Sequence, residues 1–502
     1  MNEGNVCMDR IRMPSLNNKI VMPELAAELI TDGMTIGISG FTKSGDIKIL
    51  PKALTERIHH KKFKINLLTG ASVSDEIDSE LTKAGIIARR MPYMSDPTLR
   101  KAINAGEVMY IDQHLSDVAE LLCNNQIPTI DIAIIEATAI TENGGIVPTT
   151  SVGNSASFVN NANKIIVEIN LAQPDDLEGM HDIYIPTQRP ARDPILVISP
   201  DSRIGTHYIP VDPEKIVAIV ISNKRDSPIK LESSNVDTQA ISNHVIEFFK
   251  HEVKIGRLSN CLNPLQSGVG AVANAVLRGF IDCPFYDLTM YSEVIQDSVF
   301  DLIDSEKLKF VSATAFSLTQ EYWDRFLGNL KFYKKHMLLR PQEISNHPEV
   351  IRRLGLIAIN TALEADIYGN VNSTHIGGTH IMNGIGGSGD FSRNAYLTIF
   401  ITKSIVNNGN ISSIVPMVSH VDHSEHDVDL LITEQGLADL RGLAPRERAK
   451  VVIENCAHPF YKDALNDYFY EALNRGGQTP QVLEKAFSWH RAFAQTGDMR
   501  KI

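Results

Sequence analysis

The strongest constraint on this chain is a set of short runs that are apolar almost without a break. In the first half they are MTIGISG (34–40), FKINLLTG (63–70), DIAIIEAT (131–138), KIIVEIN (164–170), PILVIS (194–199) and KIVAIVIS (215–222). A strand with one wet face alternates apolar and polar residues, so an unbroken run predicts a strand buried on both faces. Between the runs lie segments such as PELAAELITDG, apolar at helical spacing and stopped by Gly33. This alternation predicts an α/β fold with a largely parallel sheet and flanking helices. After residue 222 the stretch NKRDSPIKLESSNVDTQ is polar and turn-rich, as a linker would be. Strand-like runs then resume: DLTMYS, LKFVSATAFS, GLIAIN, LTIFITKS, SSIVPMVS and DLLITEQG, with a mostly helical last fifty residues. A single core stops growing at roughly 250–300 residues, so 502 residues call for at least two. The expectation is two α/β domains, 1–228 and 229–502, with largely parallel or mixed central sheets.

Charge narrows the function. With 48 basic and 60 acidic residues the formal net charge is −12, which disfavours a nucleic-acid binder. Cys7, Cys123, Cys261, Cys283 and Cys456 are scattered and never form a C-x-x-C pair. That points away from a disulfide framework or zinc site and towards a reducing compartment. No apolar run approaches the ~18 residues needed to span a bilayer, so no membrane partner is expected. MNEGNVCMDRIRMP has no apolar core and reads as neither a secretory signal nor a transit peptide. The expected location is the cytoplasm.

Four stretches could carry chemistry. NGIGGSGDF (383–391) is the densest glycine cluster, and glycines let backbone N–H groups approach an anion closely. It fits a dinucleotide fingerprint poorly: no clear strand precedes it, the following residues look strand-like, and no acid ends a strand about 20 residues on. It reads as a ligand-facing loop or a tight turn. LQSGVGAVANAVLRG (265–279) places Gly268 and Gly270 where a helix begins, either to meet negative charge or for close packing. SHVDHSEHDVD (419–429) spaces His420, His423 and His426 three apart. On a helix these could hold a metal for a hydrolase; in a loop they form a polar network. Finally, MYSEVIQDSVFDLID (290–304) places Glu293 between an expected strand and an expected helix. An acid in a first helical turn interacts favourably with the macrodipole, which would also keep a nucleophilic carboxylate ionised.

Taken together, these segments resemble the acetyl-CoA hydrolase/CoA-transferase family, the class I coenzyme A transferases. The resemblance runs from GISGFTKSGDIKILPKAL through NGGIVPTTSVGN, LQSGVG, SEVIQD, SATAFS, ALEADIYGNVNST, GIGGSGDFSRNA and PMVSHVDHSEHDVD to TEQGLADLRGLAPRERA. It implies a CoA-transferase acting on succinyl-CoA or another short acyl-CoA and on acetate. An acyl-CoA hydrolase on the same fold is the alternative. Glu293 would be the nucleophile, and the backbone N–H groups of Val269 and Gly387 the oxyanion hole. Asn346 would orient the reacting carboxylates. Leu265, Gln266, Ser267, Gly268, Val269, Asn360, Asn383 and Gly387 would line the CoA and acyl site, with Asn407 also on the CoA side. Asn407 and Asn410 stand where many members carry lysines, so a charged contact to the CoA phosphates is not implied there. Coenzyme A enters as substrate, with no metal, nicotinamide or ATP. A homodimer is the family expectation.

Overall fold

The apolar runs of the first half assemble into one seven-stranded sheet. Its strands are β1 (Thr35–Ile38), β2 (Ile65–Leu68), β3 (Ile87–Met91), β4 (Met109–Tyr110), β5 (Ile130–Ala137), β8 (Ala162–Asn170) and β9 (Ile216–Ser222); β6 (Ala139–Ile140) and β7 (Ile146–Val147) form a small hairpin between β5 and β8. The order is β4-β3-β2-β1-β5-β8-β9, and every pairing is parallel. The chain builds outward from β1 to one edge and from β5 to the other. Loops leaving the carboxyl ends of β1 and β5 therefore diverge, which opens a crevice in sheets of this kind. β5 and β8 are buried on both faces, as their composition requires. Two acids interrupt their apolar runs. Glu136 and Glu168 are direct cross-strand neighbours, and both are buried.

This computed structural model describes residues 9–501. The chain divides into two compact units, each drawn from separate stretches of sequence. The first takes Met1–Lys230, Met290–Asp297 and Phe310–Arg353. Besides the seven-stranded sheet it holds two short parallel pairings. Val294–Gln296 pairs with Ala315–Ser317, and the end of Leu308–Ala313 pairs with Met337–Leu339. A one-turn helix, Gln342–Ser345, follows.

The second unit takes Leu231–Thr289, Ser298–Lys309 and Leu354–Ile502. Its strands Leu265–Ser267, Ile357–Thr361, Leu397–Ile401, Leu430–Thr433 and Gly436–Asp439 lie side by side in that order. All neighbours are parallel except the last pair, a hairpin. The helix Val236–Lys254 opens on a capping box between Asn235 and Thr238. The helices Pro445–Cys456, Pro459–Arg475 and Ser488–Thr496 bury Ile453, Tyr461, Leu465 and Trp489 with Phe400 and Leu431 of the strands. Among the described residues no helix is long and apolar enough to cross a membrane.

Several expectations differ from the structure. A single boundary at 228/229 meets only the first crossing between units, because Met290–Asp297 and Phe310–Arg353 return to the first unit. Glu293 therefore falls in the first unit. PILVIS is not a strand. Ile195 and Val197 face inward and Leu196 and Ile198 outward, but the Arg353 guanidinium takes the carbonyls of Ile195 and Val197 that a neighbouring strand would use. The helix Pro23–Glu28 stops short of Gly33. In SSIVPMVS strand is confined to Ser412, which ends Ile411–Ser412, and to Ile414–Val415 ahead of Pro416, which has no N–H to continue a ladder. Cys123, Cys261, Cys283 and Cys456 are free thiols, while Cys7 and most of the N-terminal motif lie outside the described residues.

Candidate active site

Glu293 is not in a first helical turn. The strand Leu288–Tyr291 ends two residues before it, and Val294–Gln296 forms a second strand, so the helix begins only at Asp297. The cause is the parallel pairing of Val294 with Ala315, which takes residues 294–296 into a ladder. Glu293 thus sits in a tight strand-to-strand turn, and Asp297 holds the helix-start position. Its main chain is fixed on both sides. Ser292 N–H donates to the Ser312 carbonyl (2.8 Å), and the Glu293 carbonyl accepts from Thr314 N–H (2.9 Å). The residue is half-buried, next to a cluster of Phe41, Ala71, Leu115, Val294 and Ala315 with Tyr93 packed on it. Burial pushes the Tyr93 phenol up to about 12, and the Glu293 carboxylate adds to that rise.

Asn346 lies in the same unit, fully buried at the end of the turn Gln342–Ser345. Its side-chain oxygen accepts from the Ser345 hydroxyl (2.7 Å), and its N–H donates to the Gln342 carbonyl (3.0 Å). Tyr291 ties this turn to the strand that precedes Glu293, since its hydroxyl donates to the Ile344 carbonyl (2.5 Å). Two titratable groups sit in and just after the turn, Glu343 and His347. Burial lifts Glu343, which accepts from the Ser157 hydroxyl, to about 7. Burial lowers His347, whose ring nitrogen is 2.9 Å from an Arg192 nitrogen, to about 4. His347 is therefore neutral at neutral pH, whereas Glu343 titrates close to neutrality, beside a neutral amide.

The other sequence candidates lie in the second unit. Leu265–Ser267 is a strand, and Gly268 N–H continues its ladder to the Ile359 carbonyl (2.8 Å). Val269 follows with its side chain half exposed. Gly270 then takes φ 110°, a conformation that favours glycine, before the helix Ala271–Arg278. The structure brings Gln266 and Asn360 together as a reciprocal amide pair (3.2 and 3.3 Å). A Cβ on Gly268 would meet Asn360 Oδ1 at 3.4 Å, so this edge is close-packed. Gly387 caps a five-residue helix, Ser388–Ser392, that packs against the strand holding Asn360. The glycine cluster therefore runs into a short helix before the strand Leu397–Ile401, where the following residues were expected to be strand-like. Asn383 donates to the carbonyls of Ser373 (3.1 Å) and Gly384 (2.9 Å). Asn407 stands on a separate hairpin, Ile405–Val406 with Ile411–Ser412, at φ 52°.

The histidine motif is a loop with a single 3-10 turn at Glu425–Asp427. His420 lies 3.3 Å from Asp422 and stacks on His375 with ring centroids 3.9 Å apart. His423 is fully buried against Phe400. Its Nε2 is 3.2 Å from the Ser388 hydroxyl and 3.3 Å from that of Ser373, and its Nδ1 is 3.1 Å from that of Ser392. Among the described residues no group of three or more His, Cys, Asp or Glu side chains could hold a metal ion. The motif is a polar network clamping the segment that carries Gly387. His423→Ala is expected to destabilise the protein by about 2–4 kcal/mol through a cavity and stranded hydroxyls. It should also speed amide hydrogen exchange across 384–389, measured by mass spectrometry.

Sequence reasoning passed over a second cluster, around Lys48. Its Nζ is 2.8 Å from Asp226 and 3.7 Å from Glu136 and makes a short contact with Asp46. The signal was present, since Lys48, Glu136 and Glu168 each interrupt an apolar run, and such residues are seldom buried without partners.

Residues 6–221 match the acetyl-CoA hydrolase/transferase N-terminal domain, and residues 324–469 match the corresponding C-terminal domain. The chain is 54% identical to a succinyl-CoA:acetate CoA-transferase of Clostridium kluyveri, over 98% of this chain and 92% of that protein. It is 44% identical to an acetyl-CoA hydrolase of Schizosaccharomyces pombe, over 97% and 99%. The crystal structure of RipA from Yersinia pestis shares the fold, with a TM-score of 0.69 at 21% identity over 93% of this chain and 98% of that one.

Proposed function

The chain belongs to the acetyl-CoA hydrolase/transferase family, and on that premise we propose that it moves coenzyme A between a short acyl-CoA, such as succinyl-CoA, and acetate. The observation that supports this most is the setting of Glu293: a half-buried carboxylate on a main chain bonded before and after it. A nucleophile needs that fixity, because a displacement of about 1 Å can cost 10²-fold in rate.

In this reading the Glu293 carboxylate attacks the thioester carbonyl. The C–S bond breaks, CoA leaves as thiolate, and an acyl-glutamyl anhydride remains. The thiolate attacks the glutamyl carbonyl and expels the first carboxylate, leaving a glutamyl-CoA thioester. Acetate attacks that thioester, and the same steps in reverse release acetyl-CoA. Covalent catalysis divides one exchange into accessible steps and conserves the thioester, so no ATP, nicotinamide or metal is required. The backbone N–H groups of Val269 and Gly387 stabilise the tetrahedral oxyanions, an effect typically worth about 2.7–4 kcal/mol per donor. Asn346 orients the carboxylates without placing a charge beside Glu293. Leu265–Val269, Asn360, Asn383 and Asn407 line the CoA and acyl site. We place the enzyme in the cytoplasm as a homodimer.

Acetyl-CoA hydrolysis is the second reading, favoured by the 44% identity to a hydrolase. It differs only in that water resolves the acyl-enzyme. Incubation with acetyl-CoA, with and without succinate, separates the two. The transferase reading expects succinyl-CoA to form with acceptor and little free CoA to form without it. CoA released equally fast without succinate would sink that reading in favour of the hydrolase.

A further inference from the structure

We infer that the buried Lys48–Asp226 pair and Thr150 are positioning residues, holding one loop that braces both the Glu293 turn and the Asn346 turn. The inference rests on the role proposed for Glu293.

The cluster occupies the carboxyl ends of β1 and β5, where sheets of this topology commonly bind ligands. Here side chains of the chain itself fill that ground. Lys48, Asp46, Glu136 and Asp226 have side-chain exposures of 2, 8, 0 and 3%. Burial opposes the Lys48 charge, but the three carboxylates outweigh it and raise its pKa. Burial likewise lifts Glu136 well above the usual carboxylate range. One cation thus serves several acids, with further bonds to Asp46 from Ser74 (2.5 Å) and to Glu136 from Asn170 (2.6 Å).

Asp226 carries the connection outward. It accepts from Gly45 N–H (3.1 Å), from Gln173 (3.0 Å) and from the Thr150 hydroxyl. Thr150 begins a run of contacts to the nucleophile's neighbour strand. Its carbonyl accepts from Phe316 N–H (3.3 Å), Ser151 bridges Ala315, and Val152 N–H donates to the Thr314 carbonyl (2.9 Å). Gly153 N–H donates to the Thr314 hydroxyl (3.0 Å), and Thr314 N–H is the donor to the Glu293 carbonyl. From the β1 side, the hydroxyls of Thr42 (2.6 Å) and Ser44 (2.8 Å) reach the Phe316 carbonyl. The same loop meets the other turn, since the Gly153 carbonyl accepts from Gln342 N–H (2.8 Å), at the head of the turn that ends in Asn346. The ionic cluster holds this loop from behind through charged groups that are themselves buried, so a loss there loosens both turns together.

The test is a single-turnover reaction of the full-length protein with acetyl-CoA, trapped by borohydride and read by mass at Glu293. Amplitude counts competent molecules, whereas the rate constant reports geometry. Lys48→Met should lower the rate constant about 10–100-fold. Thr150→Val removes one hydroxyl and no charge, and should slow the step in the same direction with full amplitude. Thr150→Ser restores the hydroxyl and should restore the rate. A fall in amplitude with an unchanged rate constant would overturn the assignment, as would a Thr150→Ser protein as slow as Thr150→Val. If the unmodified protein gives no adduct at Glu293, the functional reading fails and this assignment falls with it.

Discussion

Glu293→Gln is expected to abolish CoA exchange, by on the order of 10⁴–10⁶-fold, while leaving the fold intact. An amide has the shape of the carboxylate but no nucleophilic oxygen anion, and no other residue in the turn offers one. Glu293→Ala should be equally inactive. Glu293→Asp keeps the charge but withdraws it by one methylene, and should lose about 10²-fold or more. Steady-state exchange between succinyl-CoA and acetate measures all three. A second readout does not depend on catalysis. The Glu293 charge contributes to the rise of the Tyr93 phenol, and a negative neighbour disfavours a phenolate. Glu293→Gln should therefore bring the Tyr93 pKa down from about 12 while burial still holds it above the usual value. An ultraviolet pH titration checks this. An unmoved tyrosine would separate the two side chains, and an active Glu293→Gln protein would remove Glu293 as nucleophile.

The sheet cores were readable because burial on both faces writes itself into composition, as β5 and β8 illustrate. Run composition misled at 194–199, where an arginine from another segment replaces the neighbouring strand. It misled again at Glu293, where strand and helix were expected to adjoin. The intervening strand depends on pairing with Ala315, a partner that periodicity in 290–304 does not reveal. The family was readable only as an ordered series of motifs. Locally, Gln266 and Asn360 are two unremarkable amides 94 positions apart, and their pairing is a product of the parallel register of two strands. The Lys48 cluster escaped for the same reason: Asp226 sits in a stretch whose polar composition read as linker.

Asp182→Ala is expected to cost about 3–5 kcal/mol of stability, because it leaves the Arg340 guanidinium buried without its partner. Arg340 is fully buried and Asp182 nearly so, and the two are in direct ionic contact. The arginine cannot relieve the loss by deprotonating. Asp182 also accepts from the N–H groups of Ile204 (2.9 Å) and Gly205 (2.7 Å), which would be stranded as well. A pair of this kind adds little over a well-packed apolar equivalent, so Asp182→Leu with Arg340→Met should recover much of the loss. Urea unfolding of the single and double variants measures both. The consequence for function should differ between them. Arg340 Nε donates to the Ser312 hydroxyl (2.7 Å), and the Ser312 carbonyl receives the N–H of Ser292, next to Glu293. The double variant should therefore fold well yet exchange CoA more slowly than the unmodified protein. A double variant as unstable as Asp182→Ala would show that the Ile204–Gly205 turn, and not the buried charge, sets the cost.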